Sequence, residues 1–180
     1  MEKAHQKIRL LAMDVDGVLT NGDIIYSESG DEIKVFNIRD GMGIAVAGYA
    51  GLMIAIITGR TSSSVQRRAD ELGITHVCQG CRDKSMAIRQ LIEGLGLSRE
   101  EVAFVGDDLN DIPAFKEVGW KIAVGNASSD LKELADHITE HKGGRGAIRE
   151  VIELILRSQG KWEPAVQDYL QRLEQSECQT

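Results

Sequence analysis

Short apolar runs recur along the chain at residues 8–13, 53–57, 75–78, 102–105 and 121–124, with helical segments between them. That alternation predicts a parallel sheet joined by crossover helices. The helices carry start and stop signals. Thr61 opens a stretch to Leu72, Asp83 opens one to Leu95, and Ser98 with Glu101 forms a capping-box pattern, while Gly73 and Gly96 stand where helix stops belong. Ile148, Val151, Ile152 and Ile155 repeat at helical spacing and predict an amphipathic helix over 144–158. One piece departs from the alternation: residues 24–26 and 33–36 are β-prone and flank the turn chemistry of 27–32, predicting a hairpin inserted after the first strand. After Gly160, the residues Trp162, Val166, Tyr169 and Leu173 form a further helical stripe. It fits packing on the chain's own body and docking on a neighbouring subunit equally well.

The prediction is a Rossmann-like α/β/α domain over 1–160 with a hairpin at 22–36, followed by a C-terminal segment at 161–180. Its 180 residues are close to one domain's worth of chain. The uncharged stretch 41–59 is long enough to span a membrane, but five glycines divide it into a buried helix, a stop and a buried strand. Twenty-one basic against 28 acidic residues leave a net charge of −7, a field that disfavours nucleic acid and anionic membrane surfaces as partners. Cys78, Cys81 and Cys178 are too few, and odd in number, for a disulfide framework. With no export signal in the charged stretch 1–9 and the short apolar run after it, they point to a reducing, cytoplasmic compartment.

The first strand ends in Asp14-Val15-Asp16-Gly17. Residues i and i+2 of an extended chain share a face, so both carboxylates are expected at the C-terminal edge of the sheet, where open α/β folds bind ligands. A second acidic cluster, Gly106-Asp107-Asp108-Leu109-Asn110-Asp111, follows the strand at 102–105 and reaches the same edge. Oxygen donors alone, with no His or Cys, favour a hard ion such as Mg²⁺. Thr58-Gly59-Arg60 follows another apolar strand, and a hydroxyl beside free N–H groups is a ready anion site. Lys84, taken alone, reads as a solvated surface lysine, the alternative being a point charge that holds a phosphate oxygen.

Together, and in this order, Asp14-x-Asp16-Gly17, Thr58-Gly59-Arg60, Lys84 and Gly106-Asp107-Asp108-x-x-Asp111 resemble the four motifs of the haloacid dehalogenase superfamily of phosphohydrolases. Phe36-Asn37-Ile38-Arg39-Asp40-Gly41, the stretch around Gln79-Gly80, and Gly143-Gly144-Arg145-Gly146-Ala147-Ile148-Arg149-Glu150 narrow the resemblance to a branch without a large cap domain. That branch acts on phosphate esters of 2-keto-3-deoxy sugar acids, and the match covers residues 8–162.

The resemblance implies a Mg²⁺-dependent phosphomonoesterase, a homotetramer built through the hairpin, in which neighbouring subunits close each site. Asp14 is then the nucleophile, and Asp16 the general acid and base. Thr58 and Lys84 hold the phosphoryl oxygens, and Asp14, the backbone carbonyl of Asp16, Asp107 and Asp111, the last directly or at one remove, hold the metal. Asn37, Arg39, Asp40, Gly41, Gly59, Arg60 and Arg68 line the sugar-acid pocket, with Asp16 and Lys84 reaching the substrate as well. The implied substrate is the eight-carbon acid of lipopolysaccharide precursor synthesis. Alternatives are a nine-carbon, sialic-type acid and, from another class, a non-catalytic tetramerisation module. Two features depart from the branch: Ala45 stands where some relatives carry arginine, and Cys78 and Cys81 flank its Gln-Gly core. Their C-x-x-C spacing leaves zinc or redox chemistry as the lesser alternative, and the two cysteines read by default as packing thiols.

Overall fold

The computed structural model describes residues 4–177. Six parallel strands form the central sheet: β1 (Leu10–Met13), β4 (Met53–Ile57), β5 (His76–Cys78), β6 (Val102–Gly106), β7 (Trp120–Ala123) and β8 (His137–Ile138). Their spatial order is β5-β4-β1-β6-β7-β8. β1 lies in register with both neighbours, Leu10 opposite Met53 on one side and Val102 on the other. β1 and β6 are buried throughout, as expected for strands covered on both faces. The chain builds outward from β1 through β4 to β5, then returns to the other side of β1 as β6. The crevice beyond the carboxyl ends of β1, β4 and β6 is therefore a topological switch point.

Helices α1 (Ile38–Tyr49), α6 (Ala147–Ser158) and α7 (Trp162–Glu177) pack together as one set. A second set comprises α3 (Lys84–Leu95), α4 (Ile112–Phe115) and α5 (Ser129–Leu134). α2 (Ser63–Glu71) is anchored by buried Val65 and Ala69. The uncharged stretch 41–59 divides as predicted, most of α1 passing through Gly51, with φ of +72°, into β4. No helix among the described residues is long and apolar enough to cross a membrane.

The hairpin after β1 pairs β2 (Ile25–Tyr26) with β3 (Glu32–Ile33) in antiparallel fashion. Its apolar side chains face outward, Tyr26 at 64% exposure and nearby Ile38 at 83%.

The hairpin strands are shorter than the predicted 24–26 and 33–36, and other features differ from the sequence reading. α6 begins at Ala147, since Gly144 and Gly146 adopt φ of +63° and +106°, left-handed conformations that end any helix upstream. The Ser98–Glu101 capping box forms, but on a single 3₁₀ turn, Arg99–Glu101, that runs straight into β6. α4, α5 and β8 have no counterpart in the hydrophobic pattern, being six residues or fewer each. Trp162, Val166 and Tyr169 of the stripe after Gly160 pack on the chain itself, while Leu173 is 44% exposed. Trp162 is buried between the Arg149 and Arg157 guanidinium groups, and Tyr169 meets Tyr49 edge-on.

Candidate active site

Asp14 follows β1 directly, its backbone N–H still donating to the Val105 carbonyl across the sheet, so strand pairing fixes where its carboxylate starts. Its Oδ1 accepts from the Val15 N–H at 2.7 Å and its Oδ2 from Lys84 Nζ at 2.6 Å. Lys84 is the first residue of α3, a position set by the Asp83 cap, which accepts the N–H groups of Ser85 and Met86. Its ammonium also reaches Asp111 Oδ1 at 2.6 Å, and Asp111 Oδ2 accepts the Asp107 N–H at 2.9 Å. Asp14 is 3% exposed and Lys84 2%, so Lys84 is a buried bridge and not the surface lysine its position alone suggests.

Two glycines make room for this cluster. A β-carbon on Gly17 would lie 2.0 Å from Asp107 Oδ2, and one on Gly106 would lie 2.5 Å from Asp111 Oδ2. Gly17 also has φ of +85°, which turns the chain sharply after the paired aspartates.

Carboxylate oxygens of Asp14, Asp107 and Asp111 lie within 4.8 Å of one another. Burial, then repulsion from Asp111, Asp14 and Asp108, pushes the Asp107 carboxyl up to about 7, with Lys84 opposing. Asp111 is raised by burial and by Asp14. Burial pulls the Lys84 ammonium down, but attraction to Asp14 and Asp111 outweighs it and the net shift is upward. One lysine against three crowded carboxylates leaves the cluster short of positive charge, and an all-oxygen donor set at this spacing fits Mg²⁺. Asp16 stands outside the carboxylate cluster, consistent with the resemblance assigning it only a backbone carbonyl toward the metal.

The Asp16 carboxylate instead faces the hairpin. Lys34 Nζ lies 2.5 Å from Asp16 Oδ1 and 2.8 Å from Glu32, while Arg60 bonds Glu32 at 3.1 Å and approaches Asp16 at 3.8 Å. Lys34 and Glu32 are site residues that sequence reasoning missed. Their signal was the period-two alternation of the hairpin, which puts Glu32 and Lys34 on the face opposite Ile33 and Val35.

Thr58 is buried at the end of β4, and its N–H is held by the Cys78 carbonyl at 2.9 Å; Gly59 follows it into the loop. Asn37 caps α1, accepting the Arg39 N–H, and donates to the Gly144 carbonyl at 3.1 Å. Arg39 is exposed.

The expectation that Asp40 lines the pocket is corrected. Its carboxylate is 1% exposed and accepts the N–H groups of Gly146 at 3.2 Å and Arg149 at 2.9 Å, so it caps α6 from the neighbouring helix. Burial raises its carboxyl against these bonds. Gly41 admits Arg68, whose Nη2 lies 2.2 Å from where a β-carbon would stand, and Arg68 turns to Glu71. The structure thus brings Asp14, Lys84, Asp107 and Asp111 together, links Asp16 to Arg60 through the hairpin, and employs Asp40 in helix packing.

The cysteines are corrected as well. The Cys78 and Cys81 sulfurs meet one another, with their Cα atoms 6.2 Å apart, and are not separate packing thiols. Cys178 lies outside the described residues.

Residues 77–152 match the model of the haloacid dehalogenase-like hydrolase family. The chain is 48% identical over 165 residues to the 3-deoxy-D-manno-octulosonate 8-phosphate phosphatase of Escherichia coli (strain B / BL21-DE3), covering 92% of this chain and 87% of that one. The crystal structure of the same phosphatase from Yersinia pestis superimposes with a TM-score of 0.87 at 46% identity, covering 89% of this chain and 86% of that one. The Moraxella catarrhalis phosphatase, solved with a magnesium ion, a phosphate ion and a KDO molecule, superimposes with a TM-score of 0.88 at 43% identity, covering 92% and 95% of the two chains.

Proposed function

The chain belongs to the 3-deoxy-D-manno-octulosonate 8-phosphate phosphatase family of haloacid dehalogenase-like hydrolases, and on that premise we propose that it hydrolyses this eight-carbon ester to the free sugar acid and phosphate. The observation that carries the reading is the buried bridge of Lys84 between Asp14 and Asp111, with Asp107 beside it, at the sheet's switch point. A degenerate assembly module has no need of a buried lysine spanning two buried carboxylates.

In the first half-reaction an Asp14 oxygen attacks phosphorus, the bond from phosphorus to the sugar oxygen breaks, and Asp16 gives its proton to the departing alkoxide. In the second, Asp16 takes a proton from water, whose oxygen bonds to phosphorus as the Asp14–phosphorus link breaks. Lys84 and Thr58 offset charge on the equatorial oxygens, and the Val15 N–H and Lys84 keep the Asp14 carboxylate oriented. Asp14, Asp107, Asp111 and the backbone carbonyl of Asp16 would hold Mg²⁺, which would supply positive charge against the phosphoryl oxygens. Lys34 and Arg60 pair with the Asp16 carboxylate and fix its position, and Arg60, Arg39 and Arg68 are the cations we assign to a sugar-acid carboxylate.

The exposed apolar side chains of the hairpin fit an oligomer interface, and a homotetramer is the assembly proposed for this chain, acting in the cytoplasm. The test of function is kcat/KM for phosphate release, with Mg²⁺, from the eight-carbon ester beside the nine-carbon ester and mannose 6-phosphate. A preference of about 100-fold for the eight-carbon ester, about 2.7 kcal/mol, supports the assignment. A preference for the nine-carbon ester moves the substrate and keeps the chemistry.

A further inference from the structure

We infer that Cys78 and Cys81 form a reversible thiol–disulfide modification site set against the phosphate-holding loop at 58–60, so that the state of the pair tunes turnover. The kinetic half of this inference rests on the phosphatase reading; the modification itself does not.

The two residues are placed to pair. Cys78 ends β5, Gly80 turns the chain with φ of +69°, and the Cα atoms of Cys78 and Cys81 stand 6.2 Å apart, within the span a disulfide bridges. Both are partly exposed at the end of the sheet's edge strand, where a small disulfide or dithiol can reach them.

Residues 78–81 clasp the site. The Thr58 N–H donates to the Cys78 carbonyl at 2.9 Å, the Cys81 N–H to the Thr58 carbonyl at 3.0 Å, and the Gly80 N–H to the Arg60 carbonyl at 3.2 Å. Gln79 Oε1 accepts the Ser62 N–H at 2.7 Å. Three residues beyond Cys81 the chain delivers Lys84 to Asp14. Closing the disulfide therefore stiffens a turn bonded to Thr58 and Arg60 and leading directly into Lys84. None of the proposed chemical steps uses either sulfur. In chains from reducing compartments, disulfides are characteristically transient, catalytic or redox-sensing.

The exchange is balanced with a small disulfide as oxidant. One cysteine thiolate attacks it, forming a mixed disulfide and releasing one small thiolate. The second cysteine sulfur attacks the mixed disulfide, forming the Cys78–Cys81 bond and releasing the other. The two cysteine protons pass to solvent and the small thiolates, and a dithiol reverses the sequence.

The test equilibrates the full chain, and a Cys178→Ser variant, in glutathione buffers from reducing to oxidising with Mg²⁺ present. Alkylation of Cys78 and Cys81 is read by peptide mass, and kcat/KM by phosphate release from the eight-carbon ester. The two sites are expected to lose alkylation together, with kcat/KM higher by about threefold or more in the oxidised form, reversal by dithiothreitol, and no response in Cys78→Ser/Cys81→Ser. Persistent alkylation at the oxidising end overturns the proposal. So does a disulfide that forms without changing kcat/KM, or an equal response in the double variant. Absence of phosphate release in every buffer overturns the phosphatase reading and the tuning with it, while the alkylation data still decide the modification.

Discussion

Asp107 makes the metal-free protein sensitive to pH in a direction opposite to that of a salt-bridged carboxylate. Burial and its acidic neighbours raise its carboxyl from an ordinary 3.8 to about 7. Between those values the folded chain holds a proton that the unfolded chain has released, so stability falls as pH rises. The contribution is complete below 3.8 and gone above about 7. Its full size is roughly 4 kcal/mol, of which about 2 kcal/mol is lost between about pH 5.5 and pH 8. For a domain of this size that corresponds to a fall in Tm of ~4–8 °C. Thermal unfolding followed by circular dichroism in EDTA across this interval measures it. Asp111 and Asp40 shift in the same direction, so the slope removed by Asp107→Asn isolates the one carboxyl. Excess Mg²⁺, which favours the ionised cluster, is expected to abolish the fall by stabilising the protein more at the alkaline end. A metal-free Tm that is flat or rises with pH, or an unchanged slope in Asp107→Asn, would refute the argument.

Lys84→Ala removes the one ammonium between Asp14 and Asp111, and kcat on the eight-carbon ester is expected to fall by about 10²–10³-fold; a loss under tenfold would move the phosphoryl-holding role elsewhere. Tyr26→Ser with Val35→Lys should shift the proposed tetramer toward smaller species in sedimentation velocity, because both side chains stand exposed on the hairpin. An unchanged distribution would place the interface on another surface. Asp40→Ala strips the cap from α6 and leaves the Gly146 and Arg149 N–H groups without that acceptor, at a cost of ~1–2 kcal/mol by denaturant unfolding. An unaltered midpoint, with catalysis lost, would return Asp40 to the sugar-acid pocket.

The sheet was legible because its central strands are continuous apolar runs, which periodicity detects directly. Asp14 and Asp107 were legible because each follows such a run, and the fold puts those strand ends at one edge. The short elements α4, α5 and β8 left no such trace. Lys84 shows why position alone misleads: on a helix diagram it begins α3 facing anywhere, and only the return of the chain from β5 to β6 carries it between two buried carboxylates. Asp40 misled for the converse reason. Its neighbours Asn37 and Gly41 belong to one motif with it, yet its partners, Gly146 and Arg149, lie more than a hundred positions away, where no local pattern reaches. The Lys34–Asp16 contact is likewise tertiary, made when the hairpin folds back over the end of β1.

The central claim is that Asp14 receives the phosphoryl group from the eight-carbon ester, and acid-quenched single turnover tests it most directly. The chain is mixed with substrate and Mg²⁺, quenched during the reaction, digested and read by mass. The account predicts a transient phosphate adduct on the peptide containing Asp14, reduced to background and without turnover in Asp14→Asn. Phosphate release at wild-type rate from Asp14→Asn, or an adduct on a peptide lacking residue 14, would contradict it.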